Sequence, residues 1–418
     1  MEIKEEKIRK ITKLYYSNPK VQEAIVKFSQ NREVIPRYFD IFGKRPDTLI
    51  YASDMNGAVR NGATSFHTSE EIWEDPLKIS SEMTTEELNN LRKGWDLIID
   101  IDSDYLDLSK LLARLIIDAI EINDVKNYGI KFSGNKGFHI IIPYHSFPEE
   151  LNGIKTKNMF PEWPRTICRY LMDYIRPEYN KKTKNVMGGI DLIKKRTNLS
   201  EEQFLRSSCP ECGRPAKRGK LISLKCPECG FSIKRKDMKL TKKRLVCPQN
   251  GCPGVLENEG EEEYYQCGHC NNVSSINKRE SSDRYKTTFT SDANDYSDEF
   301  EAEISGEVFG ASDLVLVSSR HLVRAPYSLH EKTALASVVI NKDELEKLDP
   351  VKDADPLRIR ILDFIPENKN KGAERLLRIA LEWKRINDKK EDNMQNKKYA
   401  KYEEIDANNV SENMFPEP

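Results

Sequence analysis

The chain has 418 residues, 38% of them hydrophobic and 32% charged, with 67 Lys and Arg against 68 Asp and Glu. At roughly 100 to 200 residues per domain, this length implies about two or three domains and at least one sizeable core, which excludes a mini-protein that needs staples to fold. The apolar runs, such as Leu97–Ile99 and Ile140–Ile142, are a few residues long, against the ~18 to 20 that span a bilayer; no membrane span is expected.

The start, Met1-Glu2-Ile3-Lys4-Glu5-Glu6-Lys7, is charged and lacks the apolar core of a secretory signal, so a cytoplasmic protein is expected. In that reducing compartment cysteines bind metal rather than pair as disulfides. Residues 5–30 set Ile8, Ile11, Leu14, Tyr15, Val21, Ile25 and Phe28 at helical spacing around Asn18-Pro19, which predicts an opening pair of helices. From Thr48 to Phe66, β-branched and aromatic residues alternate with the turn signals Met55-Asn56-Gly57 and Asn61-Gly62, which predicts short antiparallel strands. Thr68-Ser69-Glu70-Glu71 reads as the cap of a further helix. A strand over Trp95–Ile101, a helix over Leu108–Ile122 and strands over Tyr128–Phe132 and Phe138–Pro143 then give a β-α-β-β order. Only Ser133–Gly137 separates the last two strands, which suits an RRM-like or ferredoxin-like α+β module better than a doubly wound sheet. A helix is expected over 161–180, a cysteine-rich insertion over 200–275 and a solvated connector over 280–312. Strands at Leu314–Val317 and Ala336–Ile340 flank the segment Arg320–Lys332, followed by helices over 341–390 and a polar, mobile tail from 391.

Charge is unevenly spread. Segment 205–246 carries 13 Lys and Arg against 3 Asp and Glu, and segment 257–307 carries 4 against 14. One lobe attracts polyanions, or the two surfaces simply pair. Eight of the nine cysteines fall in four pairs: Cys209/Cys212, Cys226/Cys229, Cys247/Cys252 and Cys267/Cys270. Thirteen residues separate Cys212 from Cys226 and fourteen separate Cys252 from Cys267, with Gly213, Gly230 and Gly254 after the knuckles. The spacing predicts two structural zincs in tandem four-cysteine ribbons, one on Cys209, Cys212, Cys226 and Cys229, the other on Cys247, Cys252, Cys267 and Cys270. A redox thiol system, an iron–sulfur site and cross-brace pairing between the ribbons are the alternatives, and His269 is a spare ligand. Cys168, alone on an apolar helix face, reads as a core residue.

Asp100 and Asp102, two apart on a strand, share a face, and two carboxylates that close call for a cation between them. Such hard oxygen ligands suit Mg²⁺ or Mn²⁺ held together with nucleotide phosphates. Asp96 and Asp104 share the parity as outer ligands or exposed acids. The loop Ser133-Gly134-Asn135-Lys136-Gly137 has two glycines that let backbone N–H groups approach an anion, with Ser133, Lys136 and His139 placed to converge on a triphosphate. Arg320 to Thr333 adds cations and hydroxyls after a strand opened by Asp313.

Three motifs in this order, Asp100-x-Asp102, Ser133-Gly-x-x-Gly-x-His139 and Arg324-x-Pro-x-Ser328-Leu-His330-x-Lys-Thr333, resemble the archaeo-eukaryotic primase superfamily, most closely the small catalytic subunit of archaeal DNA primase. Val59-Arg60 to Ser65-Phe66 is similar to that family's early strand. The resemblance implies an α+β primase-type catalytic core in two parts, 1–199 and 276–345. Around it stand the zinc ribbons at 200–275, a helical segment at 346–390 and the tail 391–418. It further implies an Asp100, Asp102, Asp313 triad holding two Mg²⁺ or Mn²⁺, and nucleotide binding by Ser133, Gly134, Lys136, Gly137, His139, Arg324, Ser328 and His330. Asp313 stands about one residue nearer Leu322-Val323-Arg324 than the family's usual spacing, Asn135 stands where an arginine is frequent, and the family's common zinc element is a single site. The implied activity is primer synthesis from nucleoside triphosphates on single-stranded DNA, with a primase large subunit as heterodimer partner. A primase-polymerase or end-joining repair polymerase of the same superfamily is the alternative, and a non-catalytic zinc-ribbon nucleic-acid-binding protein the more distant one.

Overall fold

The structure, a computed structural model, describes residues 2–200, 204–207, 209, 216–236, 245–268, 273–276, 289–290, 302–309, 318–366 and 372–389. Two compact units divide the chain, one from Met1–Ile175 and Phe309–Pro418, the other from Arg176–Val308. In chain order the elements are α1 (Glu2–Tyr16), α2 (Pro19–Ser29), β1 (Val34–Tyr38), β2 (Ile41–Phe42), α3 (Ala52–Arg60), β3 (Ser65–Ser69), β4 (Glu71–Trp73), α4 (Thr85–Leu91), β5 (Arg92–Trp95), β6 (Leu97–Ile101), α5 (Leu106–Ile122), β7 (Gly129–Phe132) and β8 (Phe138–Ile142). There follow β9 (Glu150–Leu151), β10 (Ile154–Lys155), α6 (Glu162–Met187), α7 (Ile190–Thr197), β11 (Leu205–Ser207), β12 (Ala216–Lys225), β13 (Ser232–Lys236), β14 (Leu245–Val246), β15 (Val255–Cys267), β16 (Val273–Ile276), β17 (Phe289–Thr290), β18 (Ala302–Ile304), β19 (Leu322–Arg324) and β20 (Val339–Ile340), with a last helix, α8, over 374–389.

The helix pair at the start forms as expected. Asn18 caps α2 by accepting from the Lys20 N–H, Pro19 occupies the first turn, and Val21, Ile25 and Phe28 are buried. Residues 52–60, expected as strand and turn, are the helix α3 instead. Met55 and Val59 bury one face of it, and the Asp54 carboxylate accepts from the Ile50 and Tyr51 N–H groups, a cap that outweighs the Asn56-Gly57 turn signal. The expected helix cap at 68–71 is instead the end of β3, a bend at Glu70 and the start of β4. Ser69 Oγ accepts from Glu33 N and donates to Glu71 O, so the hydroxyl bridges strands rather than starting a helix. The segment 341–390 is not uniformly helical: 355–366 holds only turns and bends, bounded by Pro356 and Pro366, and the long helix is confined to 374–389. Tail residues 390–418, and the expected strand at Leu314–Val317, lie outside the described residues.

Two four-stranded sheets, with the small pairs β4–β5 and β9–β10 beside them in the chain, build the first unit. One has the order β19-β3-β1-β2 and the other β20-β7-β8-β6, antiparallel throughout. The second contains the expected β-α-β-β run as β6-α5-β7-β8. Its residues alternate in character: Ile99 and Ile101 pair with Ile140 and Phe138, while Asp100 pairs with His139 and His139 with Lys131. The apolar set packs on α5, whose Leu108, Leu112, Ile116 and Ile120 are buried. That leaves a row of ionisable residues on the opposite face.

The second unit is organised on a six-stranded antiparallel sheet, β13-β12-β15-β16-β17 with β14 on β15. Ile222, Leu224 and Leu256 form a small core with Cys226 and Cys247. Across the sheet Lys220, Lys225 and Lys234 pair with Glu261, Glu259 and Glu262 at 3.0–3.2 Å. Part of the charge separation seen along the sequence is therefore cancelled inside one sheet, because the basic strands β12 and β13 lie beside the acidic β15. Among the described residues no helix is long and apolar enough to cross a membrane.

Candidate active site and candidate metal centre

The three motifs, up to about 230 residues apart in sequence, come together in the first unit. His139 Nε2 lies 3.4 Å from Asp100 Oδ1 across the β8–β6 ladder. A Cβ on Gly137 would sit 2.3 Å from the Ile101 carbonyl and 3.4 Å from Asp102 Oδ1, so only glycine lets the loop lie against the carboxylate strand. Gly134 has φ +92°, and a Cβ there would meet His330 Cβ at 2.9 Å. Thr333 Oγ1 donates to Gly134 O at 2.7 Å, which ties the third motif to the second.

The motif residues divide by role. Asp100 is partly exposed and Asp102 exposed at the strand end, hard oxygen donors of the kind a divalent cation takes, with His139 behind Asp100. Among the described residues, Cys226, Cys229, Cys247 and Cys252 are the group of three or more His, Cys, Asp or Glu side chains drawn close enough to share one ion. Asp313, the third expected carboxylate, lies outside the described residues. Asp96 is not an outer ligand: it is buried, ion-paired with Arg32, and accepts from the Tyr144 N–H at 2.7 Å. Asp104 is exposed. In the loop, Gly137 N donates to Ser133 Oγ at 3.1 Å, so this amide and hydroxyl shape the turn instead of standing open to an anion. Lys136 is exposed at the loop tip. Ser328, expected at the nucleotide, is fully buried and accepts from Phe66 N at 2.8 Å, holding the third motif to β3. Arg324 is 8% exposed and donates Nη1 to Leu329 O and Nη2 to Glu331, at 2.8 and 2.7 Å.

Sequence reading missed the second wall of the site. On β3, β1 and β19, His67 is the cross-strand neighbour of Arg324, and Ser65 that of Arg37. These residues face the row Lys131–His139–Asp100. Burial, then the charges of Arg324 and Arg37, hold the pKa of His67 well below the ordinary imidazole value, and burial with Lys131 and Arg324 does the same to His139. Lys131 is fully buried, donates to Ser337 Oγ at 3.0 Å, and has its pKa lowered well below the usual lysine range by burial and Arg324. His330 is pushed down to about 4, by burial first and Arg324 second. Arg37 Nε, Ser65 Oγ, His67 Nδ1 and His139 Nδ1 are buried polar atoms with no hydrogen-bond partner among the described residues. Each such atom costs about 1–3 kcal/mol unless something fills the gap, and four of them gather along one seam. The available sequence signals were a lysine within the apolar strand Gly129-Ile130-Lys131-Phe132 and the histidine directly after Ser65-Phe66.

Behind the seam, His321 Nδ1 lies 2.6 Å from the buried Glu70 carboxylate. Burial raises Glu70 to about 7 against the pull of His321, and the Glu70 hydrogen bond raises His321 in turn. A separate hollow of about 580 Å³ is lined by Gly94, Trp95, Tyr144, Phe147, Lys155 and Lys157 among others; none of the motif residues reaches it.

In the second unit, Cys226, Cys229, Cys247 and Cys252 place their sulfurs within 4.8 Å of one another. The distances Cys226–Cys252, 3.7 Å, and Cys229–Cys247, 3.5 Å, are close to the edge of about 3.8 Å of a tetrahedron with Zn–S bonds of about 2.3 Å. They are too long for a disulfide. A Cβ on Gly254 would sit 2.4 Å from Cys226 Sγ, so glycine is required where the sulfur turns inward. The donor set fits zinc. The grouping differs from the tandem ribbons expected: the two inner pairs meet, because β12 and β15 pair from Ala216↔Cys267 to Lys225↔Glu257 and bring both inner knuckles to one end of the ladder. Cys209 and Cys267 are buried; Cys212, Cys270 and His269 lie outside the described residues. Cys168 is a buried core residue, its thiol made less acidic by burial.

No protein-family model and no curated protein matches the chain. Among solved structures, the polymerase domain of Mycobacterium tuberculosis Ligase D in complex with DNA is similar over 89% of this chain and 88% of that one, at 11% identity and a TM-score of 0.31. At that distance the likeness carries no weight for the chemistry of the site.

Proposed function

We propose that this protein is a primase-type nucleotidyltransferase that joins nucleoside triphosphates into short primers on a single-stranded DNA template. The supporting observation is the seam itself: three motifs distant in sequence come together there, with Asp100 against His139 and four buried polar atoms that have no hydrogen-bond partner among the described residues. An anion with many acceptor oxygens satisfies such a set, and a triphosphate is one.

In this reading a primer 3′-hydroxyl, or that of a first bound nucleotide, attacks the α-phosphate and pyrophosphate leaves. Asp100 and Asp102 hold divalent cations, with Asp313 as third carboxylate. Two Mg²⁺ or Mn²⁺ would activate the hydroxyl and stabilise the charge on the leaving group. Lys131, Arg37 and Lys136 bind triphosphate oxygens, and the bound anion returns Lys131 to its charged form. His67 and Ser65 donate to the same oxygens. His139, with Nε2 toward Asp100 and Nδ1 toward the seam, links the carboxylate end to the phosphate end, and Arg324 and His330 frame the pocket. The contribution is position and electrostatics rather than covalent chemistry.

The inner cysteines hold one structural zinc. The outer pairs Cys209/Cys212 and Cys267/Cys270 would hold a second by the same spacing. A large-subunit partner rests on the resemblance alone. The test is synthesis on single-stranded DNA with labelled nucleotides and Mg²⁺ or Mn²⁺, without primer. Products from wild type and none from Asp100→Ala/Asp102→Ala support the reading. Extension only of an added primer would point to a repair polymerase, and products from the double variant would overturn the site.

A further inference from the structure

Glu331 sits at an unexpected place for an acid. It is 5% exposed, and its two carboxylate oxygens accept from the two guanidiniums of the seam: Oε1 from Arg37 Nη1 at 2.9 Å and Oε2 from Arg324 Nη2 at 2.7 Å. Those guanidiniums lie beside His67 and Ser65, whose Nδ1 and Oγ, like Arg37 Nε, have no hydrogen-bond partner among the described residues. The protein has therefore placed its own anion on the cations at the phosphate end, while leaving neutral donors around it unused.

Resting on the nucleotide reading of the same seam, we propose that Glu331 is a specificity-determining residue, a resident carboxylate with which incoming phosphates compete for Arg37 and Arg324. A ligand held by Arg37 and Arg324 alone, such as inorganic phosphate or a nucleoside monophosphate, meets this competition in full. A triphosphate also reaches Lys131, whose amine is on Ser337 rather than on Glu331, and the exposed Lys136, so it depends less on the two guanidiniums. The neighbours oppose any easier route. His67 and His330 are held neutral by burial and Arg324, so they add hydrogen bonds without adding charge, and the exposed Lys332 next to Glu331 is the nearest further cation in sequence. The seam thus selects on the number of linked phosphates by means of an internal competitor.

The experiment is calorimetric binding of inorganic tripolyphosphate and of inorganic phosphate to the full chain, without divalent metal, for wild type, Glu331→Gln and Glu331→Asp. Glutamine keeps an acceptor for the guanidiniums and removes the charge. The proposal expects Glu331→Gln to bind phosphate about tenfold more tightly; tripolyphosphate, part of whose grip is on Lys131 and Lys136, should improve less, and the ratio between them should shrink. Glu331→Asp, which retains the charge, should stay near wild type. If Glu331 merely orients the arginines, Glu331→Gln weakens or leaves unchanged both ligands, and the proposal is overturned. A wild type that binds neither anion at any concentration tested overturns the nucleotide reading instead. Equal thermal midpoints for the three proteins establish that the comparison concerns binding rather than folding, and Glu331→Asp alone carries the test if Glu331→Gln melts early, since a wild-type ratio there supports the role of charge and a collapsed ratio opposes it.

Discussion

The seam of the first unit and the sheet of the second both pack many charges into little space, and they handle them in opposite ways. Around Cys226 the lysines of β12 and β13 meet glutamates of β15, and each thiol faces three others. Around His139 cations lie close together, Lys131 near Arg324, and the histidine is kept neutral by burial first and by those two charges second. A self-satisfied network is cheap to keep and has no use for a ligand. A network with partnerless donors is costly unless a ligand completes it. Under the proposed function, the contrast corresponds to chemistry in the first unit and scaffolding in the second, and it can be strained at several points.

The largest effect is expected at the carboxylates. Asp102→Ala should reduce nucleotide incorporation by about 10³-fold, the scale seen when a charge-stabilising group is removed. The thermal midpoint should stay near wild type, because Asp102 is exposed; a variant with wild-type turnover would remove the site. Next comes Lys131→Met, which keeps the buried volume and deletes the cation. Incorporation should fall by about 10²-fold through a higher KM, since the loss falls on ground-state phosphate binding. An unchanged KM would mean Lys131 serves only Ser337 and the fold. Cys247→Ser or a strong chelator should release about one zinc from the inner site and open the second unit to proteolysis. Products on a primed template should survive at a reduced level if catalysis lies wholly in the first unit.

A smaller effect is set by pH. His67 is lowered well below 6.5 and His330 to about 4, so both are neutral when folded and titrate near 6.5 when unfolded. Their contribution to stability is complete above about pH 6.5 and is lost progressively as pH falls toward 4, as the unfolded chain takes up protons first. The double variant His67→Gln/His330→Gln should therefore lose less stability than wild type between pH 6.5 and 4 in urea unfolding. Parallel curves would mean that the histidines are not desolvated and that the seam is wetter than its partnerless atoms imply.

How far the sequence announced all this depends on whether a signal was local. Asp100 and Asp102 on one strand, the glycine loop and the Cys-x-x-Cys pairs are short-range patterns, and the β6-α5-β7-β8 run follows from periodicity. Helix α3 was misread because Asn56-Gly57 is a turn signal only when tertiary burial of Met55 and Val59 does not override it. Lys131, Arg37 and His67 could not be assigned from one sequence, since what marks them is a ladder pairing or a facing sheet built from residues hundreds of positions away. The cysteine grouping failed for the same reason. Sequence order favours neighbouring pairs, whereas the β12–β15 ladder brings the inner knuckles to one end. Ser328 carried the expected motif and a different task, because its hydroxyl is the partner of Phe66 N.

The smallest effect expected is also the sharpest strain on the contrast. Lys220, Lys225 and Lys234 belong to the segment whose net positive charge suits polyanions such as single-stranded DNA, yet each is engaged with a glutamate of its own sheet. All six side chains are substantially exposed, so the pairs contribute about 0–1 kcal/mol each to stability, and Lys220→Gln/Lys225→Gln/Lys234→Gln should fold normally. A lysine that binds a phosphate releases counterions, and its loss lowers the dependence of affinity on salt by about one unit per contact. With the lysines already paired, the triple variant should bind single-stranded DNA within about twofold of wild type at each salt concentration. A slope reduced by about three would show that the glutamates yield to DNA. The second unit would then hold the template, and internal charge pairing would be its resting state, with competition between resident acid and incoming phosphate operating in both units rather than in the seam alone.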